Sequence, residues 1–243
     1  MKILSVDSTS SAASCAVCED GRIIASSYLN VGLTHSQTLL PLIDTTLRSA
    51  GLAAGDIDLF AAAAGPGSFT GVRIGVSIVK GLAFTAGKPC AGVSAMEAMA
   101  YSLLTAGEAQ GGAVICPVMD ARGGRLYNAL FACGGELPER LTEDRVIQTD
   151  ALRAELLSLN KPVVFMGDGA ELCVSAMGDV LHCTAARENV SRDIAYGIAC
   201  IALRLHTEGK SVDAGDLVPV YLSPSQAERE LLSKKEKESP QKL

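Results

Sequence analysis

Two short segments carry residue types that could handle a phosphate or another anion. The first is Gly65-Pro66-Gly67-Ser68-Phe69-Thr70-Gly71, set between an apolar run and an amphipathic one. Its glycines permit a tight turn and close approach of a ligand. Backbone amides at the helix start that follows attract anions, and Ser68 and Thr70 add hydroxyls. The segment is not a Walker A loop, because no Gly-Lys-Ser/Thr follows, and its third glycine falls one residue late for G-x-G-x-x-G. Phosphate contact and a purely structural turn both stay open. The second segment is Asp7-Ser8-Thr9, where an acid ends an apolar run. Such an acid can hold a metal–nucleotide complex or cap its own strand end. The nucleotide-facing candidates are thus Asp7, Ser8, Thr9, Gly65, Gly67, Ser68 and Thr70. Asp120, with Arg122 close by, occupies the matching place later in the chain.

Other chemistry is harder to assemble. The three histidines, His35, His182 and His206, show no ligand spacing, so no metal site is expected. A serine or cysteine nucleophile needs a placed base. Only His35 lies near a loop, and nothing in the sequence sets it beside Ser68. Cys15 and Cys18 form a lone C-x-x-C inside an alternating segment, which sends the two thiols to opposite faces of a strand.

The elements that must position these residues form a pattern that occurs twice. Lys2 to Asp7, Ser14 to Cys18 and Arg22 to Leu29 read as strands, with Glu19-Asp20-Gly21 as a hairpin turn. A helix is expected from His35 to Ala50, with Thr34 at its N-cap and Pro41 kinking it or resetting its start. A strand over 57–64, a helix over 72–86, a strand over 89–94 and a helix over 96–104 follow. The second copy has strands over 113–120, 125–133 and 146–149, then a helix capped by Asp150 and running to Leu159. A strand over 162–166 comes next, then a short helix after Gly167-Asp168-Gly169, and a longer one from Ser191 to His206. The repeated β-β-β-α-β-α order fits neither a Rossmann sheet nor a barrel. It fits an α/β protein of two ribonuclease-H-like lobes side by side, the actin-like (ASKHA) arrangement. The expected division is a first lobe over 1–106, a second over 107–222 and a solvated tail over 223–243.

The 243 residues are 48% hydrophobic and 20% charged, with a net charge of −6. A lone nucleic-acid binder usually shows a basic surface, so RNA contact without a partner is disfavoured. No secretory signal and no stretch of membrane-spanning length is read, and eight cysteines without an export signal suit a reducing compartment. A cytoplasmic protein without a membrane role is the expectation.

The helix after the glycine segment is apolar around most of its wheel. Arg73, Ser77 and Lys80 form one narrow polar stripe, whereas a surface helix usually has a wider polar face. Gly71 and Gly75 cost helix stability, which makes sense where another backbone packs closely. That neighbour is either the chain's own core or another subunit. With the preceding helix it suggests a partner surface of His35, Leu39, Ile43, Leu47, Val72, Gly75, Ile78, Val79 and Leu82.

Three stretches carry a specific resemblance. They are Ile3-Leu4-Ser5-Val6-Asp7-Ser8-Thr9, Thr34-His35-Ser36-Gln37 running to Leu40-Pro41, and Gly65 to Gly75. Together they resemble the bacterial TsaB (YeaZ) family. Met119-Asp120-Ala121-Arg122 with Tyr127, and Pro219-Val220-Tyr221-Leu222, resemble its second-lobe and C-terminal motifs. The resemblance implies the actin-like fold and a role beside a catalytic paralogue, TsaD, and an ATPase, TsaE. These make threonylcarbamoyladenosine at position 37 of ANN-decoding tRNAs. It also implies that the metal-binding H-x-x-x-H of TsaD falls at Ala95 and Met99 here, and neither side chain can serve as an imidazole ligand. A non-catalytic scaffold follows, with no intrinsic cofactor and with ATP or ADP only at a subunit boundary. It would form a homodimer through the same surface when alone, and touch tRNA only through the complex. An actin-like small-molecule kinase is the alternative, and a peptidase ranks last.

Overall fold

In the computed structural model, which describes residues 1–109, 111–135 and 137–223, period-two alternation builds both sheets. The first half runs β1 (Lys2–Asp7), β2 (Ala13–Glu19), β3 (Arg22–Leu29), α1 (His35–Ser49), β4 (Leu59–Gly65), α2 (Phe69–Ala86), β5 (Cys90–Ser94) and α3 (Ala95–Thr105). The second begins with β6 (Val114–Asp120), β7 (Arg125–Asn128), β8 (Phe131–Ala132), β9 (Glu139–Arg140) and β10 (Arg145–Gln148). It continues through α4 (Thr149–Leu159), β11 (Val163–Met166), α5 (Ala170–Met177), β12 (Cys183–Ala185), α6 (Glu188–Arg192) and α7 (Ala195–Thr207).

The strand orders are β3-β2-β1-β4-β5 and β10-β7-β6-β11-β12, with β8 and β9 added beside β6. Both read third, second, first, fourth, fifth, with β1–β4 and β6–β11 parallel and the leading hairpins antiparallel. This is the two-lobed actin-like fold expected from the repeat.

Alternate strand residues feed different layers. Leu4, Val6, Cys15, Val17, Phe60 and Ala62 pack under α1 and α2. Ile3, Ala16, Cys18, Leu59 and Ala61 point the other way, into a core that also holds Met96, Leu103, Ile115, Phe131 and Ile198. A third core lies between the second sheet and α4 and α5. Five layers result, with α3 and α7 in the middle between the two sheets. Cys15 and Cys18 fall in different cores, and both are free thiols.

The division into lobes differs from the sequence reading. Ala195 at the start of α7 accepts a hydrogen bond from Ser5 Oγ of β1 at 2.7 Å. The chain after α7 runs along the first lobe: Val212 and Cys90 exchange both backbone hydrogen bonds at 2.8 Å. Ala214 and Leu217 enter the core beneath α1 and α2. Residues 195–222 therefore pack on the first lobe, because the middle core needs helices shared by both sheets. The tail from 224 onward lies outside the described residues.

Smaller differences have local causes. α1 continues through Pro41 without a break, and Thr34 Oγ1 bonds Gln37 Oε1 at 3.0 Å instead of capping a backbone amide. The expected 125–133 strand divides at Ala129-Leu130, where Leu130 N–H donates to Thr142 Oγ1 at 2.8 Å and leaves the ladder. Thr149 starts α4 ahead of Asp150, its N–H and hydroxyl both donating to Gly124 O. Ser191 lies inside α6, and α7 begins after Asp193, whose carboxylate accepts the Ala195 N–H. β12 is three partly exposed residues with no alternation to read. Finally, α2 has the length and apolar composition of a membrane span, contrary to the sequence reading. Its Val72, Val76, Val79 and Ala83 are buried in the chain's own core.

Candidate functional site

β1 and β4 end side by side, and that juxtaposition explains the glycines. Ser68 N–H donates to Thr9 O at 2.7 Å, and Ser8 Oγ donates to Gly71 O at 2.8 Å. A side chain at Gly67 would strike Thr9, and one at Gly71 or Gly75 would strike Ser8. Gly65, at φ 127°, lies against the Val220 carbonyl, and Val220 N–H donates to Ala64 O at 2.7 Å. Of the two neighbours weighed for Gly71 and Gly75, the chain's own core is the one present.

The start of α2 is closed in part. Ser68 Oγ caps it by accepting Gly71 N–H at 3.3 Å, and Ser68 O accepts Val72 N–H. The amides of Ser68, Gly71 and Val72 are thus engaged within the chain. Those of Phe69 and Thr70 have no partner among the described residues and lie at the cleft with the exposed Ser68 and Thr70 side chains.

Asp7 faces inward. Its Oδ1 accepts Thr9 N–H at 2.9 Å and Thr9 Oγ1–H at 2.8 Å. Burial pushes its carboxyl up to about 6, against the downward pull of the two Thr9 hydrogen bonds. His35 holds the same turn, its Nε2 lying 2.7 Å from Ser10 O.

Between the lobes lies a cleft of about 510 Å³. Thr9, Gly67, Ser68 and Thr70 form one wall, and Asp120, Arg122, Tyr127 and Asp168 the other. Asp7, Ser8 and Gly65 do not line it; they support the turn behind it. The second lobe repeats the first: Asp120 Oδ1 accepts Arg122 N–H at 2.7 Å, as Asp7 does from Thr9. Asp168 Oδ1 accepts Asp120 N–H at 3.0 Å. Sequence reasoning missed Asp168, although the internal repeat sets Gly167-Asp168-Gly169 where the first lobe has its glycine loop. It also missed Tyr221 as a partner of α2. That ring stacks on Phe69 at 4.6 Å, Arg73 lies 4.0 Å over the Phe69 ring, and Arg73 Nε donates to Tyr221 Oη at 2.7 Å. Lys80 Nζ donates to Gly215 O at 2.9 Å. Two of the three residues in the polar stripe of α2 therefore hold the C-terminal segment.

The expected partner surface needs correction. Leu39, Ile43, Leu47, Val72 and Val79 are buried in the chain's own core, Gly75 packs on Ser8, and His35 turns to Ser10. Ile78 and Leu82 stay half-buried. Beside them lie Ile74, Gly81 and Phe84, the last 80% exposed, with Leu40 of α1 51% exposed. Gly81 has no atom within 4 Å of where a side chain would start. The outer face of α2 thus sets Ile74, Ile78, Leu82 and Phe84 beside the exposed Ser77 and Thr85, with a gap at Gly81.

Comparison with known proteins decides the family. A family model described as TsaD, tRNA N6-adenosine threonylcarbamoyltransferase, matches residues 30–228. The tRNA threonylcarbamoyladenosine biosynthesis protein TsaB of Bacillus subtilis is 30% identical over 234 residues, covering 94% of this chain and 96% of that protein. The protein of the same name from Escherichia coli is 31% identical over 236 residues, 96% of this chain and 100% of that one. This chain belongs to the TsaB family. The solved structure of YeaZ from Pseudomonas aeruginosa, 26% identical, superposes with a TM-score of 0.73 over 91% of this chain and 99% of that one. A tRNA N6-adenosine threonylcarbamoyltransferase from Brachyspira hyodysenteriae is similar over less, at 32% identity across 42% of this chain and 35% of that protein. In this TsaB-family chain Ala95 and Met99 are buried in the middle core, 0% and 3% exposed. Among the described residues no group of three His, Cys, Asp or Glu converges as a metal site.

Proposed function

We propose that this chain is the non-catalytic partner subunit of an assembly that makes threonylcarbamoyladenosine at position 37 of ANN-decoding tRNAs in the cytoplasm. It docks a TsaD-like catalytic subunit on the outer face of α2, and a second copy of itself when that subunit is absent. A TsaE-like ATPase joins the assembly, and tRNA meets this chain only through it.

Gly81 carries the docking reading. An exposed glycine inside a helix costs about 1 kcal/mol against alanine. Gly71 and Gly75 have an internal use for their missing side chains, but Gly81 has none. A gap flanked by Ile78, Leu82 and Phe84 suits a helix of another subunit crossing at close range. The non-catalytic reading rests on Ala95 and Met99, whose side chains offer no imidazole and whose surroundings are apolar.

A nucleotide, which the fold family implies, fits this chain poorly by itself. The carboxylates of Asp120 and Asp168 across the cleft, with Arg122 the one cation among the residues that line it, disfavour a polyphosphate. ATP or ADP therefore belongs at a boundary with another subunit, with Ser68 and Thr70 at its edge. Calorimetry on the isolated chain is expected to show no tight ATP binding, and tight binding with phosphoryl transfer would favour a kinase.

Pairing is tested by size exclusion with the TsaD-like subunit of the same organism. Gly81→Ala should raise the melting temperature of the isolated chain through helix propensity. Gly81→Arg and Ile78→Asp should abolish co-elution while the fold persists. Unchanged co-elution by both folded variants would remove the docking claim.

A further inference from the structure

Two helices, α3 and α7, lie between the sheets. The chain leaves the first sheet for α3 at Ser94 and enters α7 after Asp193 on its way back. α7 packs across β1, β2, β4 and β5 of the first sheet, and α3 packs on β6 and β11 of the second. The helices cross at close range on small residues. A side chain at Gly197 would start 2.5 Å from the Ala98 carbonyl oxygen and 2.8 Å from Ser102 Oγ, and Ala95, Ala195, Ala199 and Ala202 belong to the same core. Such a contact has little relief to stop one helix sliding along the other. Ser102 Oγ is buried there without a hydrogen-bond partner among the described residues, so this register leaves a polar group unsatisfied.

One carboxylate spans that crossing. Glu97 of α3 accepts a hydrogen bond from Arg204 Nη2 of α7, and another at 3.4 Å from Arg140 Nη2 of β9 in the second lobe. Arg140 is itself set by Asp144 Oδ1 at 2.7 Å and by the Phe131 ring 4.8 Å away, and Asp144 accepts the Ser94 hydroxyl at 2.6 Å. We propose that the α3–α7 crossing is a shear joint between the lobes, and that Glu97 is the latch that fixes it at one register. The Glu97, Arg140 and Arg204 side chains are 20%, 25% and 36% exposed, so salt screens these pairs less than fully exposed ones. Glu97 holds the joint more than it holds the fold. Without its charge Arg140 keeps Asp144, and Arg204 keeps Glu208 at 3.8 Å, so neither arginine is stranded. Helices released in this way shift by about 1–2 Å. Ser5 Oγ fastens α7 to β1 at Ala195 O, so α7 carries the first sheet with it. The cleft walls belong to different sheets, and Ser68 and Thr70 then move against Asp120 and Asp168. The joint is separate from the outer face of α2, so it does not depend on the docking proposed above.

The test uses the full chain with spin labels on unnatural residues at two exposed positions, Ser49 on the first lobe and Ala154 on the second. Pulsed electron–electron double resonance reads the interlobe distance, with unlabelled chain in excess so that only distances within one molecule count. The unaltered chain should give one narrow distribution. Glu97→Gln should broaden it and add distances shifted by about 2 Å or more, with the circular dichroism of the folded chain retained. Arg204→Gln breaks the α3–α7 pair but leaves Arg140 on Glu97, and should also broaden it. Glu19→Gln removes a surface pair with Lys2 and should leave the distribution narrow. A narrow distribution in both folded latch variants would overturn the proposal. So would unfolding of both, a broad distribution in the unaltered chain, or equal broadening by Glu19→Gln.

Discussion

Asp7 shows how a residue that looks chemical can serve the fold. Its carboxyl is spent on Thr9 and stands behind the cleft wall. Its pKa is raised from 3.8 to about 6 by burial, so the native state binds this proton more tightly than the unfolded chain. The contribution is complete below about pH 4 and is lost as pH rises through 6. That makes ionised Asp7 a cost of up to about 3 kcal/mol at neutral pH. Asp7→Asn keeps an oxygen for both Thr9 donors. The variant should therefore melt above wild type at pH 8, with the advantage disappearing near pH 4, as followed by circular dichroism. An advantage independent of pH would show that Asp7 is not the titrating group. Gly71 makes the converse case. Gly71→Ala drives a methyl into the Ser8 carbonyl and should cost about 2 kcal/mol or more, measured by urea unfolding.

At the scale of elements, α2 and the segment 212–221 act as one unit. The Phe69–Tyr221 stack and the Arg73 hydrogen bond tie the first turn of the helix, and Lys80 ties a later one. Tyr221→Phe keeps the stack and loses the hydroxyl. Tyr221→Ala loses both and should destabilise the chain by about 1 kcal/mol, roughly twice the effect of Tyr221→Phe in the same melt. This unit also marks where the sequence was readable. β1, β3 and α1 begin where alternation, the Asp-Gly turn and Thr34 placed them, because those signals are local. The bond between Arg73 and Tyr221 spans 148 residues and has no local signature. The narrow polar stripe containing Arg73 and Lys80 was visible, but the segment that covers it was not. Likewise Leu39, Ile43 and Val79 read equally well as core or interface, since hydrophobicity alone does not name the neighbour. Gly81 had no signal until Gly71 and Gly75 were seen to have internal partners.

Across the whole molecule, the doubled β-β-β-α-β-α order was legible and gave the actin-like architecture. The five layers were not, because α7 leaves its own lobe to share the middle core with α3. That sharing accounts for residues 195–222 packing on the first lobe and not with the second. It also leaves Ile78, Leu82 and Phe84 of α2 open beside Gly81 on the outside of the first lobe. The central claim is that this chain works by docking a catalytic subunit there. The most direct measurement is threonylcarbamoylation of an ANN-decoding tRNA reconstituted with the TsaD-like and TsaE-like subunits of the same organism. Modification should require this chain, be absent with this chain alone, and be lost with folded Gly81→Arg while surviving Gly81→Ala. Full modification with Gly81→Arg, or without this chain, would contradict the account.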